Sequence, residues 1–297
     1  MTSRSLLKGI SLTIVSWSLF AIMNACAKHA SSQISFTITL FFQNSVALLL
    51  LSPLFFCSDI SFFNEKNAKL LLARGVLGVL VFICLFFSLP LIPLTDALLL
   101  ANTGPLFLPF ILYFWLKQKT SPRLWLSVLI GFLGVISIVQ PSAQIFHFGS
   151  LFALLSGCLT GIVMVILRQL SSEDSRRVVL SYLCMATLSS LPLALPFFSS
   201  ISIKALPSLF LVGTFFGIGQ WTYTRALSYA DSLFLAPFSY VFIVVGVLID
   251  WLFWNRTPTI GTTIGIFLIF TGGILTIFWA KPTTLDQPIA NPTDSTN

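Results

Sequence analysis

Ten apolar stretches dominate the sequence, and each is long enough to cross the hydrocarbon core of a membrane, which takes about 20 apolar residues in a helix. Lipid offers the backbone no hydrogen-bonding partners, so a spanning segment of this length satisfies its own bonds as a helix. We therefore predict an all-α polytopic membrane protein with ten transmembrane helices. The stretches lie at 9–28, 35–54, 69–89, 95–116, 122–140, 148–168, 178–198, 205–227, 232–254 and 259–280.

Charged residues are too scarce for a soluble fold. They make up 8% of the 297 residues, whereas a soluble domain carries about a quarter. We therefore expect the chain to have the lipid bilayer as its partner. The 16 Lys and Arg residues lie singly between apolar runs rather than in a patch, so we expect no nucleic-acid partner.

The cysteines and histidines form no pattern that is typical of a metal centre. The cysteines lack CxxC spacing, and His29 and His147 are not placed to complete a metal set with them. We interpret the cysteines as small apolar side chains and expect no metal, no cofactor and no catalytic residue. The cysteines are Cys26, Cys57, Cys84, Cys158 and Cys184.

The N-terminal run has two interpretations. Arg4 and Lys8 precede an apolar run that ends near Ala25, which also fits a cleavable signal peptide. We interpret the run as the first transmembrane helix, because it is long and nine similar runs follow it.

The basic residues predict the orientation. With an internal N-terminus, 13 of the 16 basic residues fall inside and only Lys28, Lys204 and Arg256 fall outside. Both the N-terminal segment 1–8 and the tail 281–297 are then cytoplasmic, and the polar tail is expected to be disordered. The inside set is Arg4, Lys8, Lys66, Lys69, Arg74, Lys117, Lys119, Arg123, Arg168, Arg176, Arg177, Arg225 and Lys281.

Two segments of the sequence repeat each other. ADSLFLAPFSYVF at 230–242 matches TDALLLANTGPLF at 95–107, and each copy places an aspartate before an apolar run that contains a proline. The first helices of the two halves also align, and the alignment pairs Ser16 with Ser156. The repeated segments predict a duplicated architecture centred on them.

The number of helices in each half predicts how the two halves are oriented relative to each other in the membrane. Five spans is an odd number, so the second half must enter the membrane upside down relative to the first. We predict a 5+5 inverted repeat with halves at 9–140 and 148–280. Inverted repeats are typical of alternating-access carriers, whose two halves exchange conformations around a central site.

Polar residues and prolines inside the spans are the candidates for a substrate pathway. Mid-membrane polar groups are costly unless they meet a partner or water, and a proline frees a backbone carbonyl that is tolerated where it faces protein or a cavity. Packing kinks and bridges between helices are the structural alternatives. The candidates are Trp17, Asn24, Gln43, Asn44, Asn102, Thr103, Pro105, Gln220, Trp221, Tyr223, Pro237 and Tyr240.

The chemistry of this set restricts the expected solute. Asp96, Asp231 and Asp250 lie near span ends, so no carboxylate is expected near the middle of the membrane. A lining of amides, hydroxyls and aromatic faces suits a neutral or zwitterionic solute, including one with a ring or a delocalised cation. It argues against a simple proton-coupled pump.

Several motifs resemble the EamA-type branch of the drug/metabolite transporter superfamily. They are WSLF with Lys28, FFQNSVALLLLSP, ARGVLG, SLPLIPLTDALLLANTGPLF, GFLGVISIVQP, ALSYADSLFLAPFSYVF and GIFLIFTGG. The resemblance implies a 5+5 carrier in the inner membrane of a bacterium, with both ends inside. The chain departs from the family pattern at Gln43, where members often carry Arg, and at Lys117, Gln118 and Asn255, where members often carry Glu.

The resemblance also indicates substrates. Members move amino acids, nucleotide-derived metabolites and drugs, and YADSLFLAPFSY is similar to the corresponding run of S-adenosylmethionine importers. The expected function is transport of a small organic metabolite, S-adenosylmethionine or another zwitterionic or nucleoside-like solute. A drug or amino-acid exporter is the alternative. A membrane-embedded enzyme would need a cluster of titratable groups, and a structural subunit would leave the proline-interrupted repeats unexplained.

Overall fold

A computed structural model describes most of the chain, and the regular structure in it is entirely helical. The prediction of an all-helical protein is therefore confirmed for the described segments. These segments are 3–53, 67–114, 122–139, 148–170, 173–200, 203–229 and 235–279.

Eleven α-helices follow one another along the described segments. They are α1 (Ser3–Ser31), α2 (Phe36–Leu51), α3 (Ala68–Ser88), α4 (Leu94–Ala101), α5 (Gly104–Phe114), α6 (Pro122–Val139), α7 (Phe148–Gln169), α8 (Ser175–Ala194), α9 (Leu206–Leu227), α10 (Val241–Trp254) and α11 (Ile260–Trp279). Short 3-10 segments at Leu195–Ser200, Ile203–Ala205 and Ala236–Tyr240 adjoin α8, α9 and α10.

Five of the helical segments are long and apolar enough to cross a membrane: α1, α3, α7, α8 with its 3-10 extension, and α9 with the 3-10 segment before it. Shorter apolar helices coincide with α2, α6, α10 and α11. Each of the ten apolar stretches contains helix, but the fourth contains two. The single helix predicted at 95–116 is interrupted at Asn102 and Thr103, between α4 and α5.

The helices of the two halves pack in matching pairs. In order of apolar stretch, α1, α2, α3, α4 with α5, and α6 correspond to α7, α8, α9, α10 and α11. α1 packs along α9, and its counterpart α7 packs along α3. α2 also packs on α9, and its counterpart α8 packs on α3. In the same way, α1 packs on α10, and its counterpart α7 packs on α4 and α5. The pairs α2 with α8 and α6 with α11 join corresponding helices directly.

Two hydrogen bonds repeat this pairing at the level of side chains. Ser16 in α1 donates its hydroxyl to the carbonyl of Gly219 in α9, at 2.8 Å. Ser156, which the sequence repeat pairs with Ser16, donates to the carbonyl of Val81 in α3, at 3.0 Å. Both serines are buried, so each bond satisfies a polar group inside the bundle while fixing one cross-half contact.

The short helix α4 lies in the middle of the bundle. Leu98, Leu99 and Leu100 are fully buried, so the C-terminal half of this helix is apolar on every side, as expected where other helices enclose it. Its C-terminal end approaches α7 closely at Gly157, where an added Cβ would meet the carbonyl oxygen of Leu100 and the hydroxyl of Thr103. The absence of a side chain at Gly157 therefore lets α7 approach the break between α4 and α5.

Gly157→Ala is expected to destabilise the fold by about 2 kcal/mol, because overpacking against a backbone oxygen forces a helix to move. Gly217→Ala is the matched control, since its Cβ would lie 3.2 Å from Ala47 and needs only a small adjustment. The measurement is the thermal unfolding midpoint of each purified variant in detergent. Equal midpoints for both variants would show that the contact with α7 tolerates a methyl group.

Candidate functional site

A cavity lies between helices of both halves. α1, α3, α4, α7, α9 and α10 all contribute residues, and the volume of the cavity is about 100 Å³. Toward one end of the bundle the lining reaches Arg74, Leu167 and Tyr223, near the start of α3 and the ends of α7 and α9. Toward the other end it stops at Asn24 and Leu85.

Parts of the two repeated segments meet beside this cavity. α4 ends at Ala101, and Asn102 caps it with its own N–H bonded to carbonyls of that helix. In the other half, the 3-10 turn Ala236–Tyr240 precedes α10. The Asn102 side-chain amide lies 3.5 Å from both the carbonyl and the hydroxyl oxygen of Ser239. The break after α4 and the 3-10 turn before α10 each lie within one copy of the sequence repeat, so the two copies are in contact at this point.

Aromatic rings form one wall of the cavity. Trp17 packs edge to face against Phe20, Tyr223 and Phe242, with ring centroids 5.5 to 5.6 Å apart. Phe82 of α3 also lines the cavity. Such rings present flat apolar surface with little conformational entropy left to lose, and they can stack on a planar solute.

One cation lies among these rings. Arg74 of α3 lines the cavity, is 5% exposed, and places its guanidinium over the ring of Tyr182 at 4.2 Å from the centroid. Gly78, one turn further along α3, makes room for it, because a Cβ there would meet Nη1 of Arg74 and the ring of Tyr182. The expectation of a lining with only amides, hydroxyls and aromatic faces is therefore wrong.

Five of the residues that the sequence singled out line the cavity together. They are Trp17, Asn24, Asn102, Gln220 and Tyr223. They come from α1, α9 and the break after α4, which the sequence could not bring together by spacing alone. The amide of Asn24 donates to the carbonyl of Phe20 in its own helix, at 2.8 Å, and its carbonyl oxygen has no partner among the described residues.

Gln43, Asn44 and Thr103 are buried but do not line the cavity. Gln43 and Asn44 lie in α2, which packs between α8 and α9, and the Asn44 amide donates to the carbonyl of Leu40. The Thr103 hydroxyl donates to the carbonyl of Leu100, at 2.7 Å. The Thr103 bond lies at the break between α4 and α5, whereas both polar atoms of the Gln43 amide are buried without a hydrogen-bond partner among the described residues.

Trp221 and Tyr240 also lie away from the cavity lining. The Trp221 ring lies under the guanidinium of Arg225, 5.8 Å from its centroid. Tyr240 stacks on Phe270 at 4.3 Å and its hydroxyl lies 3.4 Å from the carbonyl oxygen of Ile269. Tyr240 therefore joins the 3-10 turn to α11.

Other predictions concern parts of the chain outside the described residues. The side chains of Pro105 and Pro237 are among them, although their backbones lie in α5 and in the 3-10 turn. The tail 281–297, Lys117, Gln118 and Asp231 are outside as well.

Sequence reasoning missed Arg74, Ser156 and Thr160 as cavity residues. Arg74 was counted only as a basic residue of the inside surface. The sequence pattern does indicate a buried position for Arg74, because apolar residues lie on both sides of it along α3 and a glycine follows four residues later on the same face. Ser156 and Thr160 are also four residues apart, on the face of α7 that meets α3.

A polar network closes the end of the bundle beyond Asn24. Asp250 of α10 is buried, and its Oδ2 accepts bonds from the backbone N–H and the hydroxyl of Thr95, at 2.6 and 2.7 Å. It thereby caps the N-terminus of α4, where a negative charge is favourable. Lys28 of α1 donates to the carbonyls of Leu89 and Ile92, just before α4. We call Lys28, Thr95 and Asp250 the closing network.

A bundle of apolar helices around a mainly apolar cavity that carries a few polar side chains, with a helix interrupted beside it, is typical of a membrane transporter. The model of the EamA-like transporter family matches the chain twice, over residues 7–140 and 147–278. The chain belongs to this family, and the resemblance drawn from its motifs is confirmed.

Curated relatives are named as transporters of different solutes. The pseudopaline exporter of Pseudomonas aeruginosa (strain UCBPP-PA14) is 29% identical over 88% of this chain and 93% of that protein. The riboflavin transporter of Vibrio cholerae serotype O1 is 27% identical over 80% and 82%. The S-adenosylmethionine uptake transporter of Rickettsia conorii is 22% identical over 91% and 94%.

A solved crystal structure has the same fold. It superimposes with a TM-score of 0.63 and 20% sequence identity, covering 94% of this chain and 98% of the other. This likeness supports the helical architecture.

Proposed function

We propose that this protein is a secondary carrier that moves a small organic metabolite across the bacterial inner membrane by alternating access. The observation that carries the proposal is the contact at the cavity between the two copies of the sequence repeat, where α4 is interrupted at Asn102 and the Asn102 side chain approaches the 3-10 turn before α10. Interrupted helices free backbone groups to bind a solute at the middle of the membrane.

The paired packing of the helices supports ten spans arranged as an inverted repeat, with five-helix halves at 9–140 and 148–280. Ser16 and Ser156 make corresponding bonds across the halves, as expected when each half can adopt the other's conformation. In this arrangement, the cavity extends toward the cytoplasm and the closing network seals it from the opposite side. The described conformation then corresponds to the inward-facing half of the cycle.

The orientation follows from the basic residues, with both termini in the cytoplasm. Two positions test this orientation. Ser228 follows α9 on the predicted inside, and Ser32 follows α1 on the predicted outside. Both are exposed, and both hydroxyls bond only to a carbonyl three residues earlier, so they form a matched pair.

In a background without the native cysteines, we expect Ser32→Cys to react with a membrane-impermeant maleimide in intact cells. Ser228→Cys is expected to react only after the cells are opened. The measurement is the labelled fraction of each variant. The reverse pattern would contradict the proposed orientation.

The solute is proposed to be S-adenosylmethionine or another zwitterionic or nucleoside-like metabolite. The names of the relatives include both an exporter and an uptake transporter, so export of a drug or an amino acid remains the second candidate. A cavity with a tryptophan, a tyrosine and several amides suits solutes that combine a ring with polar groups.

Counterflow in proteoliposomes tests the proposal. The purified chain is reconstituted, loaded with unlabelled solute, and offered the labelled form of S-adenosylmethionine, riboflavin, a nucleoside or an amino acid, with and without a pH gradient. Saturable exchange of one compound supports a carrier. Absence of exchange for the whole panel, together with unchanged drug resistance of cells that express the chain, would contradict it.

A further inference from the structure

The charge of Arg74 is unbalanced within the described part of the chain. No Asp or Glu there forms an ion pair with it; the ion pair resolved there joins Arg177 to Glu173. Its Nε is buried without a hydrogen-bond partner, and the ring of Tyr182 lies 4.2 Å from the guanidinium carbon. A buried charge of this kind costs several kcal/mol unless something pairs with it.

The geometry leaves Nε of Arg74 for a ligand. A guanidinium carries five donors in a planar fork, and that fork matches the two oxygens of a carboxylate or a phosphate. With the ring of Tyr182 on one face and Gly78 beside Nη1, the group is held in place before a ligand arrives. Little side-chain entropy is then lost on binding.

The residues around Arg74 indicate the rest of the ligand. Trp17, Tyr223 and Phe82 offer aromatic surface in the same cavity, and Asn102 and Gln220 offer amides. A positive charge on the solute would meet the guanidinium at short range in a medium of low dielectric constant, which is unfavourable. A solute whose only charge is positive is therefore a poor fit.

We propose that Arg74 is the specificity-determining residue of the cavity, and that the solute carries an anionic oxygen group, a carboxylate or a phosphate, attached to a ring or apolar body. This inference rests on the proposed carrier function, because it assigns the cavity to the transported solute. A zwitterion with a free carboxylate satisfies it.

Two pairs of compounds isolate the anionic group. N-acetyl-L-tryptophan and its amide differ in the carboxylate, and flavin mononucleotide and riboflavin differ in the phosphate. Each is added to the purified full-length chain in detergent, and the protein that stays monodisperse after heating is measured by size exclusion over a range of concentrations. Because both members of a pair are compared on the unmodified chain, the result does not depend on whether any variant folds.

We expect the anionic member of at least one pair to stabilise the protein with an apparent affinity at least about tenfold higher than its neutral partner, as expected for bidentate pairing with a guanidinium. The pair that shows the difference tells a carboxylate site from a phosphate site. Equal effects of both members in both pairs, or no effect of any compound, would overturn the proposal.

Variants then assign the effect to Arg74. Arg74→Gln is expected to remove the preference for the anionic member, and Arg74→Lys to retain part of it as a point charge without the fork. Arg177→Gln removes a guanidinium outside the cavity and is expected to behave as the unmodified chain. An anion preference that survives Arg74→Gln would refute the assignment.

Counterflow separates this inference from the carrier proposal. Exchange of a neutral or cationic solute that Arg74→Gln leaves unchanged would refute the anion site and keep the carrier. Anion binding that depends on Arg74, without exchange of any solute, would keep the site and refute the carrier.

Discussion

Trp17→Ala is expected to reduce the initial rate of solute exchange about 100-fold while leaving the amount of protein in the membrane unchanged. Trp17 contacts Phe20, Tyr223 and Phe242 edge to face, and its ring forms part of the cavity wall. Alanine removes the surface on which a planar solute stacks, and a loss of about 2.7 kcal/mol of binding corresponds to this factor. Trp17→Phe keeps a flat ring and is expected to lose less than about tenfold.

Tyr240→Ala is the control that separates cavity from packing. Tyr240 is as buried as a cavity residue, but it stacks on Phe270 and bonds toward the carbonyl of Ile269. Removal of the Tyr240 side chain is expected to lower the thermal unfolding midpoint. The total transport rate then falls in proportion to the amount of folded protein, and the rate per folded molecule stays the same. If Trp17→Ala has full activity per folded molecule, the cavity is not the transport site.

The sequence predicted the bundle well because lipid imposes a simple constraint on it. Length and apolarity alone locate a membrane helix, so the helices fall where the apolar stretches lie. The break between α4 and α5 was missed because the apolar run resumes after Asn102, Thr103, Gly104 and Pro105, and the whole stretch has the length of one span. A break of this kind depends on contacts with Gly157 and Ser239, which lie far away in the chain.

The cavity was harder to predict than the helices, since it requires knowing which face of each helix turns inward. Trp17 and Tyr223 were recognised by residue type and do meet. Gln43 has the same chemistry as Gln220, yet it lies in α2 away from the cavity. Arg74 was misread because a basic residue near a helix end usually lies at the surface, whereas Gly78 and Tyr182 hold this one inside.

Asp250 belongs to the closing network, which seals one end of the cavity in the proposed carrier, and its substitution gives the second large effect. Its Oδ2 accepts two bonds from Thr95, and hydrogen bonds to a charged group contribute about 1.5 to 3 kcal/mol each. Asp250→Ala leaves the N-terminus of α4 without its cap while the cavity lining stays intact. Alternating access needs both conformations, so a loss of about 3 kcal/mol from the one that the closing network stabilises shifts the balance roughly 100-fold.

We therefore expect Asp250→Ala to slow exchange roughly 100-fold, by the same population shift, and Asp250→Asn to have a smaller effect because an amide oxygen still accepts a bond. Thr160→Cys, in the cavity, reports the conformation: Asp250→Ala should reduce its reaction with impermeant maleimide from the cytoplasmic side and increase it from the opposite side. Asp174→Asn is the matched control, because Asp174 caps α8 through the N–H of Arg176, away from the closing network. Slow exchange with unchanged labelling would mean that Asp250 acts on stability rather than on the balance between conformations.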